Sequence, residues 1–185
     1  MSRVVLVTGG NRGIGLSIAQ AFLAAGDRVA ITSRSGETPQ DLIGTDVLVV
    51  AADVTDTTSV EGAFDRVEAE LGPVEVLVAN AGITRDKLVM AMSEQDWNDV
   101  LSTNLSSAFY WTKGLVRPMT KKRWGRIINL ASIAGLGGNP KGMNTIAYNT
   151  SKGAVINFTR ALAAEWGVHG IRVNAICPGF FPSKM

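Results

Sequence analysis

The chain is short of the side chains on which hydrolytic and metal-dependent enzymes most often rely. It carries one cysteine, Cys177, and one histidine, His169. A single thiol can form neither an internal disulfide nor a cysteine-based metal cluster. One histidine rules out a multi-histidine metal site, and its setting in WGVHGIRV, where a helical pattern gives way to a strand, suits a helix-end or turn residue. No metal is expected. Long apolar runs are also missing: nothing approaches the ~18 consecutive apolar residues of a membrane span. The opening MSRVVLVTGG enters a strand-like run at once and lacks the layout of a signal peptide, so the expectation is a cytoplasmic protein without a membrane partner. Excess charge is scarce as well. The net charge is +2, and the densest basic run, Lys121-Lys122-Arg123, fits the C-terminal end of a helix better than a nucleic-acid surface. Catalysis, if present, must draw on Tyr, Lys, Ser, Asn or carboxylates.

What is there is a core. Hydrophobic residues make up 46% of 185 residues, enough for a single globular domain spanning 1–185. Short Val/Ile/Leu runs at 3–8, 28–33, 46–53, 74–80, 125–132 and 170–177 read as strands. Helical spacing fills 13–26, 57–72, about 94–122 and about 147–166, with Val60, Phe64, Val67 and Leu71 on one face of the second helix and a capping box of Ser93 and Asp96 opening the third. The strands show little alternation, as in a parallel sheet covered on both faces. Strand and helix alternate without a separate helical block, so the predicted fold is α/β, a Rossmann-like doubly wound parallel sheet.

The first strand runs into TGGNRGIG, Thr8 to Gly15. Gly9, Gly13 and Gly15 fall on the strand–helix turn, where glycine permits a tight turn and lets the backbone approach a ligand closely. The helix that follows directs its N-terminus at that ligand, which favours a pyrophosphate. The second strand ends Thr32-Ser33-Arg34 without the acidic residue that would bind a free ribose 2′-hydroxyl. Arg12 and Arg34 instead offer charge for a 2′-phosphate, so NADP(H) is favoured over NAD(H); the alternative is that both are solvated surface residues.

Tyr148 is one of two tyrosines, and Lys152 follows one helical turn later on the same face. A neighbouring ammonium favours the phenolate and is expected to lower the tyrosine pKa, making a proton donor and acceptor usable near neutrality. The third helix presents an apolar stripe at Trp97, Val100, Leu101, Leu105, Ala108, Thr112, Leu115 and Met119. Asn104 lies on that stripe, where an amide must find partners.

Taken in order, TGGNRGIG, Asp53 after the third strand, NAG at 80–82, Asn104, Ser132 after the fifth strand, YNTSK at 148–152 and PG at 178–179 resemble the short-chain dehydrogenases/reductases across nearly the whole chain. LVTGGNRGIGLSIAQAF, VEVLVANAGITRD and MSEQDWNDVLSTNL resemble bacterial 3-oxoacyl-[acyl-carrier-protein] reductases. From Ser132 onward the sequence looks closer to sugar-acid and polyol dehydrogenases of the same superfamily. The resemblance implies Tyr148 as general acid in reduction and base in oxidation, and Lys152 as a partner of the nicotinamide ribose that depresses the tyrosine pKa. It implies Ser132 as the holder of the substrate carbonyl and Asn104 as the keeper of a water-linked proton path to Lys152. Asp53 would contact the adenine and Asn80 would support the cofactor. The cofactor set implied is Gly9, Asn11, Arg12, Gly13, Ile14, Gly15, Arg34, Asp53, Val54, Asn80, Ala81, Gly82, Tyr148, Lys152, Pro178, Gly179 and Ser183. Taken without the family, Asn104 is a buried structural amide, Asp53 a turn or cap, Asn80 a tie between strands, Ser132 a strand-end serine and Cys177 a small apolar filler.

Two departures from the family pattern matter. Ser132 and Tyr148 are sixteen residues apart, a longer gap than usual, and GGNPKGMNT within it reads as a loop beside the substrate. The sequence also stops soon after the sixth strand, so a seventh strand and the substrate-covering segment are expected to be missing. Three functions follow: NADPH-dependent reduction of 3-oxoacyl thioesters, with acyl carrier protein as a candidate partner; an NAD(P)-dependent polyol or sugar-acid dehydrogenase; or a silent dinucleotide-binding module. A homodimer or homotetramer is expected, with Phe109, Trp111, Phe158 and Trp166 as apolar anchors.

Overall fold

The computed structural model describes residues 2–138 and 140–181. Six strands, β1 (Val4–Thr8), β2 (Arg28–Ser33), β3 (Leu48–Ala51), β4 (Val76–Ala79), β5 (Gly125–Leu130) and β6 (Ile171–Ile176), form one sheet in the order β3-β2-β1-β4-β5-β6. Every neighbouring pair is parallel. The chain works outward from β1 in one direction through β2 and β3, then returns to the other side of β1 with β4. The doubly wound expectation holds, and the reversal leaves a crevice beyond the carboxyl ends of β1 and β4, where ligands bind in such sheets.

The central strands are apolar throughout because both faces are covered. All five residues of β1 are buried. On one face α2 (Thr57–Leu71), α4 (Ser107–Lys122) and α5 (Ile146–Trp166) close over a core that includes Leu6, Val60, Phe64, Leu77, Trp111 and Leu162. On the other, α1 (Gly13–Ala24) packs Ile14, Ile18 and Phe22 over Val5, Val7, Val29 and Val78. β6 differs: Ile171 and Val173 are buried while Arg172, Asn174 and Ile176 are exposed. The expectation of a sheet covered on both faces therefore fails at this strand, which alternates as a one-faced strand does.

The expected third helix is α3 (Glu94–Leu101) continued into α4 through a π turn at Ser102–Ser106. Its start is the predicted capping box, with Ser93 and Asp96 each hydrogen-bonded to the other's backbone N–H. The π turn follows from composition. STNLSS at 102–107 concentrates side chains that compete for backbone hydrogen bonds; the Ser107 hydroxyl donates to Thr103 O, while the Ser107 amide reaches back five residues to Ser102 O. Trp111 corrects an expectation. It is 1% exposed, not an interface anchor, and stacks edge-on against Phe64 with centroids 4.8 Å apart. Helical spacing explains this: Trp111 follows Ala108 by three and precedes Leu115 by four, so it shares their inward face. Gly114 makes room for Phe64, whose ring leaves no space for a Cβ there.

Candidate active site

The site is assembled from chain ends at the sheet's switch point. The turn after β1 is bare backbone. Gly9 and Gly13 adopt φ of 63° and 54°, a region that disfavours side chains. Gly15 lies so close to Gly9 O and the Asn80 amide that a Cβ would collide with both. Asn80 is itself the tie between strands: its Nδ2 donates to Thr8 O at 2.9 Å and Gly9 O at 3.1 Å, and Thr8 Oγ1 accepts from the amides of Asn80 and Ala81. These bonds fix the β1 and β4 ends side by side. No side chain caps α1 at Arg12, so the first-turn amides, which lack intrahelical partners, face the crevice.

Ser132 enters from the end of β5. Its hydroxyl accepts from Ala134 N at 3.1 Å and starts a short 3₁₀ turn, Ile133–Gly135. Gly135 presses onto the backbone of Lys152 and Gly153, leaving no room for a Cβ. Ile133 N donates to Pro178 O at 3.1 Å. One small turn thus locks β5, α5 and the end of β6 together and puts Ser132 against the first turns of α5, where Tyr148 and Lys152 stand.

Lys152 is 5% exposed. Its Nζ donates to Leu130 O at 2.5 Å and lies 5.6 Å from the centroid of the Tyr148 ring. Burial pushes its pKa down to about 8. The Tyr148 pKa is raised, first by burial, against the pull of its hydrogen bond with Ser132, with the Asp86 charge adding to the rise. The expected depression by Lys152 is therefore not present in this state: removal of the phenol from water outweighs the hydrogen bond with Ser132.

Asn104 sits in the π turn and is buried. Its Oδ1 accepts from Ile83 N at 2.8 Å; its Nδ2 donates to Ile83 O and to Ser151 Oγ, which in turn donates to Tyr148 O. The side chain clamps the segment after β4 onto α5. Gly82 occupies the gap in front of it, where a Cβ would lie 3.3 Å from Asn104 Oδ1 and 3.5 Å from Lys152 Nζ.

A cleft of about 510 Å³ runs across these groups, within the usual range for small-molecule sites. Its walls include Gly9, Arg12, Gly13, Ile14, Gly15, Asn80, Ala81, Gly82, Ser132, Tyr148, Lys152, Pro178 and Gly179. The family model described as short chain dehydrogenase matches residues 3–185. The chain belongs to the short-chain dehydrogenase family. It is 42% identical over 186 residues to the 3-oxoacyl-[acyl-carrier-protein] reductase FabG of Escherichia coli strain K12, covering 99% of this chain and 75% of that protein. Identity is also 42% to the 3-oxoacyl-[acyl-carrier-protein] reductase MabA of Mycobacterium avium, with 100% and 69% covered. Among solved structures, a short-chain alcohol dehydrogenase described as putative, from Sinorhizobium meliloti 1021, superposes with a TM-score of 0.92 at 37% identity, covering 100% of this chain and 75% of that one. The chain is thus an oxidoreductase of CH–OH and C=O groups, from a family that binds nicotinamide dinucleotides.

The short-chain dehydrogenase cleft does not take in every predicted residue. Asn104 stands behind Gly82. Arg34 is exposed after β2, beside Asp53. The Asp53 carboxylate accepts from Thr55 N and Thr55 Oγ1, which hold its pKa below the usual range, with Arg34 helping. Val54 packs against the larger core, and Asn11 stays in the turn outside the lining. Ser183 lies outside the described residues. Lining residues not anticipated include Thr84, Asp86, Ile133, Met143, Phe180 and Phe181. The run ITRD directly after NAG was the available signal for the first two; the others come from irregular segments without periodicity.

Proposed function

We propose that this chain is an NADPH-dependent 3-oxoacyl thioester reductase, with acyl carrier protein as the carrier of its substrate. The observation that carries the reading is the convergence of Ser132, Tyr148 and Lys152 in one cleft, opposite a glycine turn with no room for side chains. The names of the FabG and MabA relatives support the 3-oxoacyl substrate.

The residues present fit a dinucleotide. The bare turn at Gly9, Gly13 and Gly15 and the uncapped start of α1 suit a pyrophosphate, Arg12 and Arg34 suit a 2′-phosphate, and Gly82 keeps the approach to Lys152 open. When bound, the reduced nicotinamide supplies the hydride. Ser132 donates a hydrogen bond to the substrate carbonyl oxygen and fixes its direction. Tyr148, held as a neutral phenol by burial, gives that oxygen a proton as charge develops on it. Lys152 then stabilises the phenolate left behind, and Asn104 holds the loop that frames both. A matched general acid of this kind contributes roughly 10²–10⁴ in rate.

The sequence from Ser132 onward is what resembles sugar-acid and polyol dehydrogenases, and the longer connection before Tyr148 lies within it. Between Ser132 and Tyr148 it contributes Ile133, Ala134, Gly138, Pro140 and Met143 to the cleft, with Thr145 as the one polar side chain among the described lining residues, which offers a polyol few hydrogen-bond partners. The test is a substrate panel followed by the near-ultraviolet absorbance of the reduced cofactor. The expected result is NADPH consumption with a short 3-oxoacyl thioester, little with NADH, and none of the reverse signal with gluconate-type acids. Faster turnover of sugar acids or polyols than of the thioester would overturn the assignment.

A further inference from the structure

Beyond the catalytic trio the cleft has an outer half whose composition the reaction chemistry does not explain. Three segments build it: Thr84 and Asp86 after β4, Ile133 and Met143 from the connection between β5 and α5, and Phe180 and Phe181 after β6. A bridge between Lys87 and Thr145 holds the first segment against the second. Phe180 is 83% exposed and Phe181 61%, two adjacent aromatic side chains open to the cleft and to solvent. Charge in the outer half is one-sided. Among the described lining residues the cations are Arg12, at the glycine turn, and Lys152, turned onto Leu130 O; the one carboxylate is Asp86. Thr84 Oγ1 donates to Asp86 Oδ1 at 2.5 Å and fixes that carboxylate. The neighbouring cations have partners of their own: Arg85 pairs with Asp99 at 3.4 Å and donates to Thr84 O at 3.1 Å, and Lys87 pairs with Asp96 at 2.7 Å. Lys141, on the connection before α5, is not part of the lining.

We propose that Asp86 is a specificity-determining residue: set in an apolar outer wall, it selects oxo substrates with an uncharged, apolar substituent and turns away those that bear a carboxylate. The proposal rests on the reductase reading of the cleft. Its physical basis is independent of the reaction, because a second carboxylate brought into this half meets a fixed negative charge and, among the described lining residues of this half, no cation. The influence of Asp86 reaches the catalytic centre, since its charge is among those that disfavour the Tyr148 phenolate.

The test compares a neutral 3-oxo ester with a 3-oxo ester of equal chain length that ends in a carboxylate. Calorimetry gives both Kd values on the protein saturated with oxidised dinucleotide, for the wild type and for Asp86→Asn, at low and high salt; turnover of both esters is measured alongside. The wild type is expected to prefer the neutral ester, Asp86→Asn to lower the ratio of the two Kd values about fivefold at low salt, and high salt to shrink that difference. Asp86→Glu should keep the wild-type ratio to within about twofold. A ratio unaltered in Asp86→Asn, or a wild type that binds the two esters equally, overturns the proposal. If Asp86→Asn shifts the ratio while neither ester is reduced, the selection stands and the reductase reading fails.

Discussion

Lys152 carries its ammonium group almost completely out of water, with Leu130 O as the one hydrogen-bond partner described. Such a placement opposes stability. A pKa moved from 10.5 to about 8 corresponds to roughly 3 kcal/mol against the charged form at neutral pH. The folded protein releases this proton near pH 8 and the unfolded chain near 10.5, so between those values the unfolded state holds more protons and stability rises with pH. Lys152→Met, which keeps the length and removes the charge, is expected to unfold at an equal or higher denaturant concentration than wild type at pH 7 and to lose the rise between pH 8 and 10. A Met variant markedly less stable at pH 7 would contradict this. A lysine retained against its own burial cost points to work on a neighbour, and the neighbour is Tyr148. Asn104 shows the opposite economy: every bond its amide makes joins backbone or Ser151, which makes it a positioning residue for the loop and helix around the site.

At the scale of elements, the strands and most helices were legible because the residues that form them obey two simple periods. β1 through β5 are apolar runs bounded by turn residues, and α2 shows its buried face at Val60, Phe64 and Val67. The glycine turn and the Tyr148–Lys152 pair stood out because each is a short local pattern with a chemical meaning; Ser132, by itself a strand-end serine, stood out only through the family resemblance. What stayed hidden depends on contacts between distant segments. The π turn replaced a regular helix, although the run 102–107 held the residues that favour it. Trp111 was taken for a surface anchor because it is aromatic, while its spacing from Ala108 and Leu115 already turned it inward. The outer half of the cleft comes from Met143, Phe180 and Asp86, which meet only because β4, β5 and β6 end on the same edge of the sheet; no window of sequence contains that meeting. The direction of the Tyr148 pKa was misjudged for a related reason. A charge nearby is visible in sequence, whereas the depth of the phenol is a property of the packed fold.

For the whole molecule, the doubly wound order sets the division of labour. Backbone from the β1 and β4 ends forms the floor of the cleft, where we propose the dinucleotide lies, and the ends of β5 and β6 with α5 bring the proposed proton-transfer groups over it. None of the described helices is long and apolar enough to cross a membrane. On the far side of α4 and α5 a hollow of about 340 Å³ is lined by Phe109, Val116, Phe158, Ala161 and Trp166 among others, and Phe109 is 47% exposed. We propose this as the face of self-association, now without Trp111. Phe109→Asp is expected to lower the mass measured by light scattering from dimer or tetramer towards monomer; a wild type that is monomeric at micromolar concentration would overturn it. The central claim concerns Tyr148 as the group that completes carbonyl reduction. Its most direct test is a comparison of wild type and Tyr148→Phe for both 3-oxoacyl thioester reduction and NADPH affinity. The expected result is a loss of turnover of at least roughly 10²-fold with NADPH affinity kept within a few-fold; a variant that reduces the thioester at close to the wild-type rate would contradict it.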